Sequence, residues 1–158
     1  MSNERLWAPW RMDYIMSVDK VNECIFCSAA RSDNELLLHR NDLIVVLLNR
    51  YPYTTGHLMV SPVRHSAHLS DLSAAEAHAL IEAVQQCERI LNKEYHPQGL
   101  NIGINEGMCS GAGIPGHIHV HLVPRWVGDT NFMPVVGEVR VIPESLSQTV
   151  ERLRPHFL

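Results

Sequence analysis

Gly116-His117-Ile118-His119-Val120-His121-Leu122-Val123-Pro124 is the stretch from which the rest of the chain is read. Successive side chains of an extended backbone point to opposite faces. Residues 118–123 therefore read as a strand, with His117, His119 and His121 on one open face and Ile118, Val120 and Leu122 turned into a core. A solvated face that happens to be rich in His is the bland reading of this alternation. Two chemical readings compete with it: a three-His zinc site, or imidazoles working as nucleophile and proton donor near neutral pH.

Directly upstream, residues 105–116 read Asn-Glu-Gly-Met-Cys-Ser-Gly-Ala-Gly-Ile-Pro-Gly. The glycines at 111 and 113 let backbone N–H groups close on phosphate oxygens. Further out, residues 35–39 and 43–48 are short β-prone runs parted by Arg40-Asn41-Asp42, and residues 57–61 follow Thr54-Thr55-Gly56 and stop at Pro62. These three runs predict an antiparallel meander. Ser73-Ala74-Ala75-Glu76 has the form of a capping box, and apolar residues then fall at Ala77, Leu80, Ile81, Val84, Ile90 and Leu91, so the one long helix is expected over 73–95. Cys87 shares that spacing and reads as an inert core thiol, whereas His78 falls off it and reads as solvated. Pro97 and Gly99 end the helix, residues 100–105 read as a strand, and Pro143-Glu144-Ser145 opens a short helix to about residue 154. The expected fold is α+β: a mostly antiparallel sheet of about five strands, one long helix and a short C-terminal helix.

With 158 residues and no internal repeat or charge block, the chain reads as one domain. Its 46% hydrophobic content excludes wholesale disorder, and no apolar run reaches the roughly 18 to 20 residues of a membrane-spanning helix. A net charge of −4 argues against a broad surface for nucleic-acid backbones. The charged, Trp-bearing N-terminus does not resemble a secretion signal. Four Cys at 24, 27, 87 and 109 make a poor disulfide framework, which points to a reducing cytoplasm. Cys109 has no basic neighbour in sequence and gives no reason to expect a nucleophile. Cys24-Ile25-Phe26-Cys27 has a knuckle spacing that needs two further ligands to hold a metal.

His-φ-His-φ-His-φ-φ, with φ apolar, is the motif of the histidine triad (HIT) nucleotide hydrolases and transferases, and residues 117–123 resemble it throughout. The segment Leu47-Leu48-Asn49-Arg50-Tyr51-Pro52-Tyr53-Thr54-Thr55-Gly56-His57 resembles that family's nucleoside-side segment, and Asn105-Glu106-Gly107 its phosphate-side turn. Pro124-Arg125-Trp126, Gly128-Asp129-Thr130-Asn131-Phe132 and the arm from Leu6-Trp7 to Tyr14 resemble the fragile-histidine-triad and diadenosine tetraphosphate phosphorylase branch. The resemblance implies a domain core over 24–126, an arm over 1–23 and an extension over 127–158.

It also implies site roles. His119 would attack an α-phosphorus, His121 would contact the transferring phosphoryl oxygens or the leaving group, and His57 would support the triad's hydrogen bonding. Asn49 would bind ribose, Ile44 would lie near the base, and Asn105, Gly111 and Gly113 would stand on the phosphate side. Gly113 departs from the family pattern, which has Gln or Ser four residues before the first His. A structural zinc would be held by Cys24, Cys27, His65 and His117, with His68 as rival to His65. The implied protein is a homodimeric enzyme cleaving or transferring a nucleoside monophosphate from a dinucleoside polyphosphate through a nucleotidyl-His119 intermediate, with water or phosphate as acceptor. Three alternatives stand beside it. A galactose-pathway uridylyltransferase has Gln where this chain has His121, a nucleotide-binding regulator would show little turnover, and a plain metal protein would use the His strand for zinc.

Overall fold

The computed structural model describes residues 24–129 and 142–157. The arm at residues 6–14 and the Thr130-Asn131-Phe132 part of the tail lie outside them. Strands β1 (Leu37–Arg40), β2 (Ile44–Leu48), β3 (Leu58–Pro62), β4 (Gly99–Ile104) and β5 (Val120–Arg125) form one antiparallel sheet in the order β1-β2-β3-β5-β4. Around it lie helices α1 (Ile25–Arg31), α2 (Ala74–Tyr95) and α3 (Leu146–Leu153), with 3-10 turns at Leu69–Asp71 and Arg154–Phe157. The architecture is the α+β arrangement that the sequence pattern predicts, meander included.

Asn41 builds the first hairpin. Its side-chain oxygen accepts the backbone N–H groups of Leu43 and Ile44 at 2.9 and 2.8 Å, which folds the chain back from β1 into β2. All five residues of β2 are buried because the strand is covered on both sides. Ile44, Val46 and Leu48 pack with Leu58, Val60, Leu122 and the Leu80, Val84, Cys87 and Leu91 stripe of α2. Val45 and Leu47 pack on the other side with Met59 and with Phe26 and Ala29 of α1.

Helix α2 starts where its capping box directs, with Ser73 and Glu76 exchanging bonds, and stops at His96, which takes a left-handed φ of 45°. Each large apolar side chain that α2 buries contributes about 1.5 to 3 kcal/mol. Its buried stripe is narrower than the sequence suggests. Ile81 is 54% exposed, since it lies about 100° around the helix from Leu80. Helix α3 repeats the capping logic with Ser145 and Gln148 and buries Val150 and Leu153. The guanidinium of Arg154 then donates to the Leu37 carbonyl at 2.7 Å, tying the C-terminal segment to the outer strand β1.

Two boundaries differ from expectation in ways that shape the site. The Cys-x-x-Cys knuckle is the start of a helix, with Cys24 as the N-cap of α1. The His-bearing strand begins at Val120 rather than Ile118, because β3 pairs with β5 only from Val60↔Val120 onward. Upstream of that pair, the end of β3 and the loop leaving it take over: Ile118 N–H donates to the Ser66 carbonyl at 2.6 Å, and the Ser61 hydroxyl donates to the Ile118 carbonyl at 3.0 Å. His117 and His119 therefore sit between β5 and this loop.

Candidate active site

The alternation of residues 119–122 survives the shorter strand. Val120 and Leu122 join the α2-side core, and the three imidazoles lie on the α1 side. The face is not open as expected. His117 and His119 are 1% and 2% exposed because Phe26 of α1 covers them, its ring centroid 5.2 and 4.9 Å from theirs. Burial comes first among the causes that push His119 below its ordinary pKa and His117 and His121 down to about 4. All three are therefore neutral at pH 7, and each has one N–H and one lone pair.

Hydrogen bonds decide which nitrogen carries the proton. Nδ1 of His119 lies 2.7 Å from the His117 carbonyl, which can only accept, so the proton is on Nδ1 and the lone pair on Nε2. Nε2 of His117 lies 2.9 Å from the Pro62 carbonyl, so its lone pair is on Nδ1. The backbone N–H of Tyr53 donates to Nδ1 of His57 at 3.1 Å, which leaves the His57 proton on Nε2. That Nε2 lies 3.0 Å from Nδ1 of His121 and donates to it, so His121 carries its own proton on Nε2. The His119 and His121 rings stand 4.8 Å apart at 72°. The pair therefore combines an unprotonated ring nitrogen with a neighbouring ring N–H donor.

Asn49, at the end of β2, joins this network. Its side-chain nitrogen is 3.4 Å from both ring nitrogens of His57, and its side-chain oxygen accepts the Tyr51 N–H at 2.9 Å. A turn role for Asn49 is thus present whatever else it binds. Residues 105–116 connect β4 to the triad, with Gly107 and Gly111 at φ of +83°, a conformation open to glycine at little cost. Asn105 and Gly113 are half-buried in that loop. The Glu106 carboxylate anchors its start, accepting the Leu69 N–H at 3.1 Å and lying 3.0 Å from Nδ1 of His68. Ile44 is not brought to the triad. It is 1% exposed in the core between sheet and α2, on the opposite face of β2, because the register that turns Val45 toward α1 turns Ile44 away.

A second cluster adjoins the first. Ligand atoms of Cys24, Cys27, His65 and His117 all lie within 4.8 Å of one another. Nδ1 of His117, the nitrogen with the lone pair, is 3.2 Å from Sγ of Cys24 and 3.6 Å from Sγ of Cys27, and Nδ1 of His65 is 3.2 Å from Sγ of Cys27. His68 is occupied with Glu106 and takes no part. The three-His metal reading fails, since among the described residues the cluster takes only His117 from the triad. Gly116 passes close to this corner: a Cβ there would lie 3.7 Å from Nε2 of His65.

Phe26 and Tyr53 were not singled out from the sequence. Phe26 lies inside the Cys-x-x-Cys spacing, where only the cysteines carry a recognisable pattern. The Tyr53 ring lies 4.6 Å from that of His57, tilted 39° to it, four residues ahead in a turn that reads Tyr-Pro-Tyr.

Comparison with known proteins places this geometry in context. A family model described as the HIT domain matches residues 31–127. The chain is 38% identical over 156 residues to an AP-4-A phosphorylase of Mycobacterium tuberculosis, covering 92% of this chain and 80% of that one. It is 32% identical over 93 residues to an asymmetrical bis(5'-nucleosyl)-tetraphosphatase of Schizosaccharomyces pombe, covering 59% and 50%. Among solved structures, a zinc-bound histidine triad family protein from Mycobacterium smegmatis superposes with a TM-score of 0.69 at 26% identity, covering 85% of this chain and 93% of that one.

Proposed function

The chain belongs to the HIT family, and from that premise we propose that it is an enzyme transferring a nucleoside monophosphate out of dinucleoside polyphosphates such as diadenosine tetraphosphate. The observation that carries this reading is the hydrogen bonding of the His119 and His121 pair, with Nδ1 of His119 at the His117 carbonyl and Nδ1 of His121 at His57 Nε2. The Nε2 lone pair of His119 attacks the α-phosphorus, forming a P–N bond as the P–O bond to the polyphosphate leaving group breaks. The Nε2–H of His121 donates to the oxygen on which charge develops, and His57 keeps that proton on Nε2 by holding Nδ1 as an acceptor. The nucleotidyl group then passes to phosphate or water, and the imidazole leaves neutral. Similarity to an AP-4-A phosphorylase over most of both chains favours phosphate as the acceptor. Asn49 is assigned to ribose, and the turn from Asn105 through Gly111 and Gly113 to the phosphates.

Incubating purified protein with diadenosine tetraphosphate, with and without phosphate, tests this. ADP plus ATP identifies phosphate as acceptor, AMP plus ATP identifies water, and no turnover in either condition refutes the proposal.

A zinc ion suits the Cys24, Cys27, His65 and His117 cluster. A tetrahedron with metal–sulfur bonds near 2.3 Å and metal–nitrogen bonds near 2.0 Å has sulfur–nitrogen edges of about 3.5 Å. The observed 3.2 to 3.6 Å separations match that edge. Bound there, zinc would supply a closed structural cross-link between α1 and the loop leaving β3, holding Phe26 over the triad. The thiolates it needs fit a reducing, cytoplasmic location. A second copy of the chain is the proposed partner for β4, the outermost strand, whose Ile102 and Ile104 are 45% and 37% exposed. The unit so paired would be the single domain of residues 1–158.

A further inference from the structure

His57 reaches His121 from a turn, residues 49–57, that rests on the end of α2. The contact is Gly56. It has a φ of +78°, and a Cβ placed on it would lie 3.1 Å from Cε2 of Tyr95 and 3.2 Å from Cδ2 of Leu91. The chain therefore comes down directly onto the Tyr95 ring, one residue before His57. His57 is itself fully buried, and its Nε2 lies 3.0 Å from Nδ1 of His121.

The other side of the Tyr95 ring belongs to the C-terminal segment. The Tyr95 hydroxyl donates to Glu144 at 2.5 Å. Glu144 in turn accepts the Thr149 hydroxyl and Arg152 Nε, each at 3.0 Å, and the Arg152 guanidinium lies 5.5 Å from the centre of the Tyr95 ring. Residues 142–157 lie beyond the stretch that the family model matches. The floor beneath Gly56 is thus braced by a part of the chain outside that stretch.

We propose that Tyr95 is a positioning residue for nucleotidyl transfer: its ring, braced by Glu144 of the C-terminal segment, supports Gly56 and so keeps His57 Nε2 on His121 Nδ1. Removing the ring lets the turn sink. The His57 N–H then no longer points at His121, and the His121 proton is no longer confined to Nε2, where the leaving group needs it. The effect falls on the chemical step rather than on substrate binding, because Tyr95 packs with the α2-side core, across the sheet from the Phe26-covered imidazoles. A catalytic contact misplaced by a fraction of an ångström loses rate steeply.

The test compares wild type, Tyr95→Ala, Tyr95→Leu and Tyr95→Phe, each verified as folded at the assay temperature by thermal unfolding. Tyr95→Ala should lower kcat for diadenosine tetraphosphate about tenfold with KM within about twofold. Tyr95→Phe, which keeps the ring over which Gly56 lies, should recover kcat to within about threefold. If Tyr95→Ala does not fold, Tyr95→Leu carries the same comparison. The second readout needs no activity. In 15N-labelled protein, the His121 ring should be a single Nε2–H tautomer in wild type and a mixture of tautomers in the Ala or Leu variant. The proposal rests on the assignment of His119 and His121 given above, and the two fail differently: a wild type without turnover but with the tautomer shift would discard the activity alone. Variants with lower melting temperature but unchanged kcat and an unchanged His121 tautomer would make Tyr95 a packing residue and overturn the inference.

Discussion

Acid is the perturbation that probes the triad most directly, because the proposed chemistry needs His119 and His121 uncharged. Burial pushes His121 from its ordinary 6.5 down to about 4 and moves His119 in the same direction. An imidazole with a pKa of 6.5 would be about nine-tenths protonated at pH 5.5, and one at 4 only about one part in thirty. Formation of the nucleotidyl intermediate should therefore fall off on an acid limb displaced below pH 6.5, whereas His121 alone, as an ordinary imidazole, would leave about a tenth of the pH 7.5 rate at pH 5.5. The assay is the first-turnover release of ATP from diadenosine tetraphosphate, which is independent of the acceptor and whose diester phosphates do not titrate in this range. Phe26→Ala is the counterpart. Admitting water over His119 lessens the burial that lowers its pKa, so the acid limb should move toward pH 6.5 as the variant loses about 3 to 5 kcal/mol of stability. Stability follows the same sign. A His whose native pKa lies below its unfolded value stabilises the fold above pH 6.5 and loses that contribution as pH falls toward 4. For His121, with solvent screening around its partly exposed ring, the loss is about 2 kcal/mol. A wild-type acid limb centred near pH 6.5 would refute the claim that burial keeps the pair neutral.

His119→Ala should abolish turnover while nucleotide binding stays within about an order of magnitude, as read by calorimetry, since the ring supplies the bond-making atom and other groups hold the substrate. About one zinc per chain is expected by elemental analysis. Cys24→Ser should lose it, with a lower melting temperature and a smaller drop in rate than His119→Ala; zinc-free protein prepared without chelators would contradict the cluster's assignment. Asn49→Ala should raise KM about tenfold and erase the preference for a ribo substrate over its 2′,3′-dideoxy analogue. Full retention of that preference would leave Asn49 with the Tyr51 turn alone. Ile102→Arg should shift sedimentation from dimer to monomer; an unchanged dimer would move the interface away from β4.

What the sequence made legible, and what it did not, divides along the range of the interactions. The alternation at 119–122, the capping box at Ser73 and the hairpin chemistry of Asn41 are local, and each appears in the structure where its residues stand. The HIT resemblance assigns His57 to the triad's hydrogen bonding and Asn49 to ribose; in the structure His57 Nε2 lies 3.0 Å from His121 Nδ1 and the Asn49 side-chain nitrogen 3.4 Å from the His57 ring nitrogens. The direction of Ile44 is not legible, because a β2 run buried on both faces has no polar residue to mark which way each side chain points. The open His face was misread for a related reason. Its cover, Phe26, arrives from ninety residues upstream on a short helix whose sequence announces only its cysteines.

His117 joins the Cys24, Cys27 and His65 cluster to the His119 and His121 pair: its Nδ1 faces Cys24 and Cys27, while its carbonyl accepts from His119 Nδ1. A carbonyl held at 2.7 Å leaves the His119 lone pair on Nε2. The cysteines thus reach His119 through a single residue's side chain and backbone, and α1, which starts at Cys24, supplies the Phe26 ring that covers His117 and His119. Loosening the cysteine end should accordingly register first in the protonation of His119, as an acid limb displaced upward in Cys24→Ser, and only secondarily in the affinity for nucleotide. A Cys24→Ser enzyme with a weakened KM and an unmoved acid limb would mean that the two clusters are neighbours without being coupled.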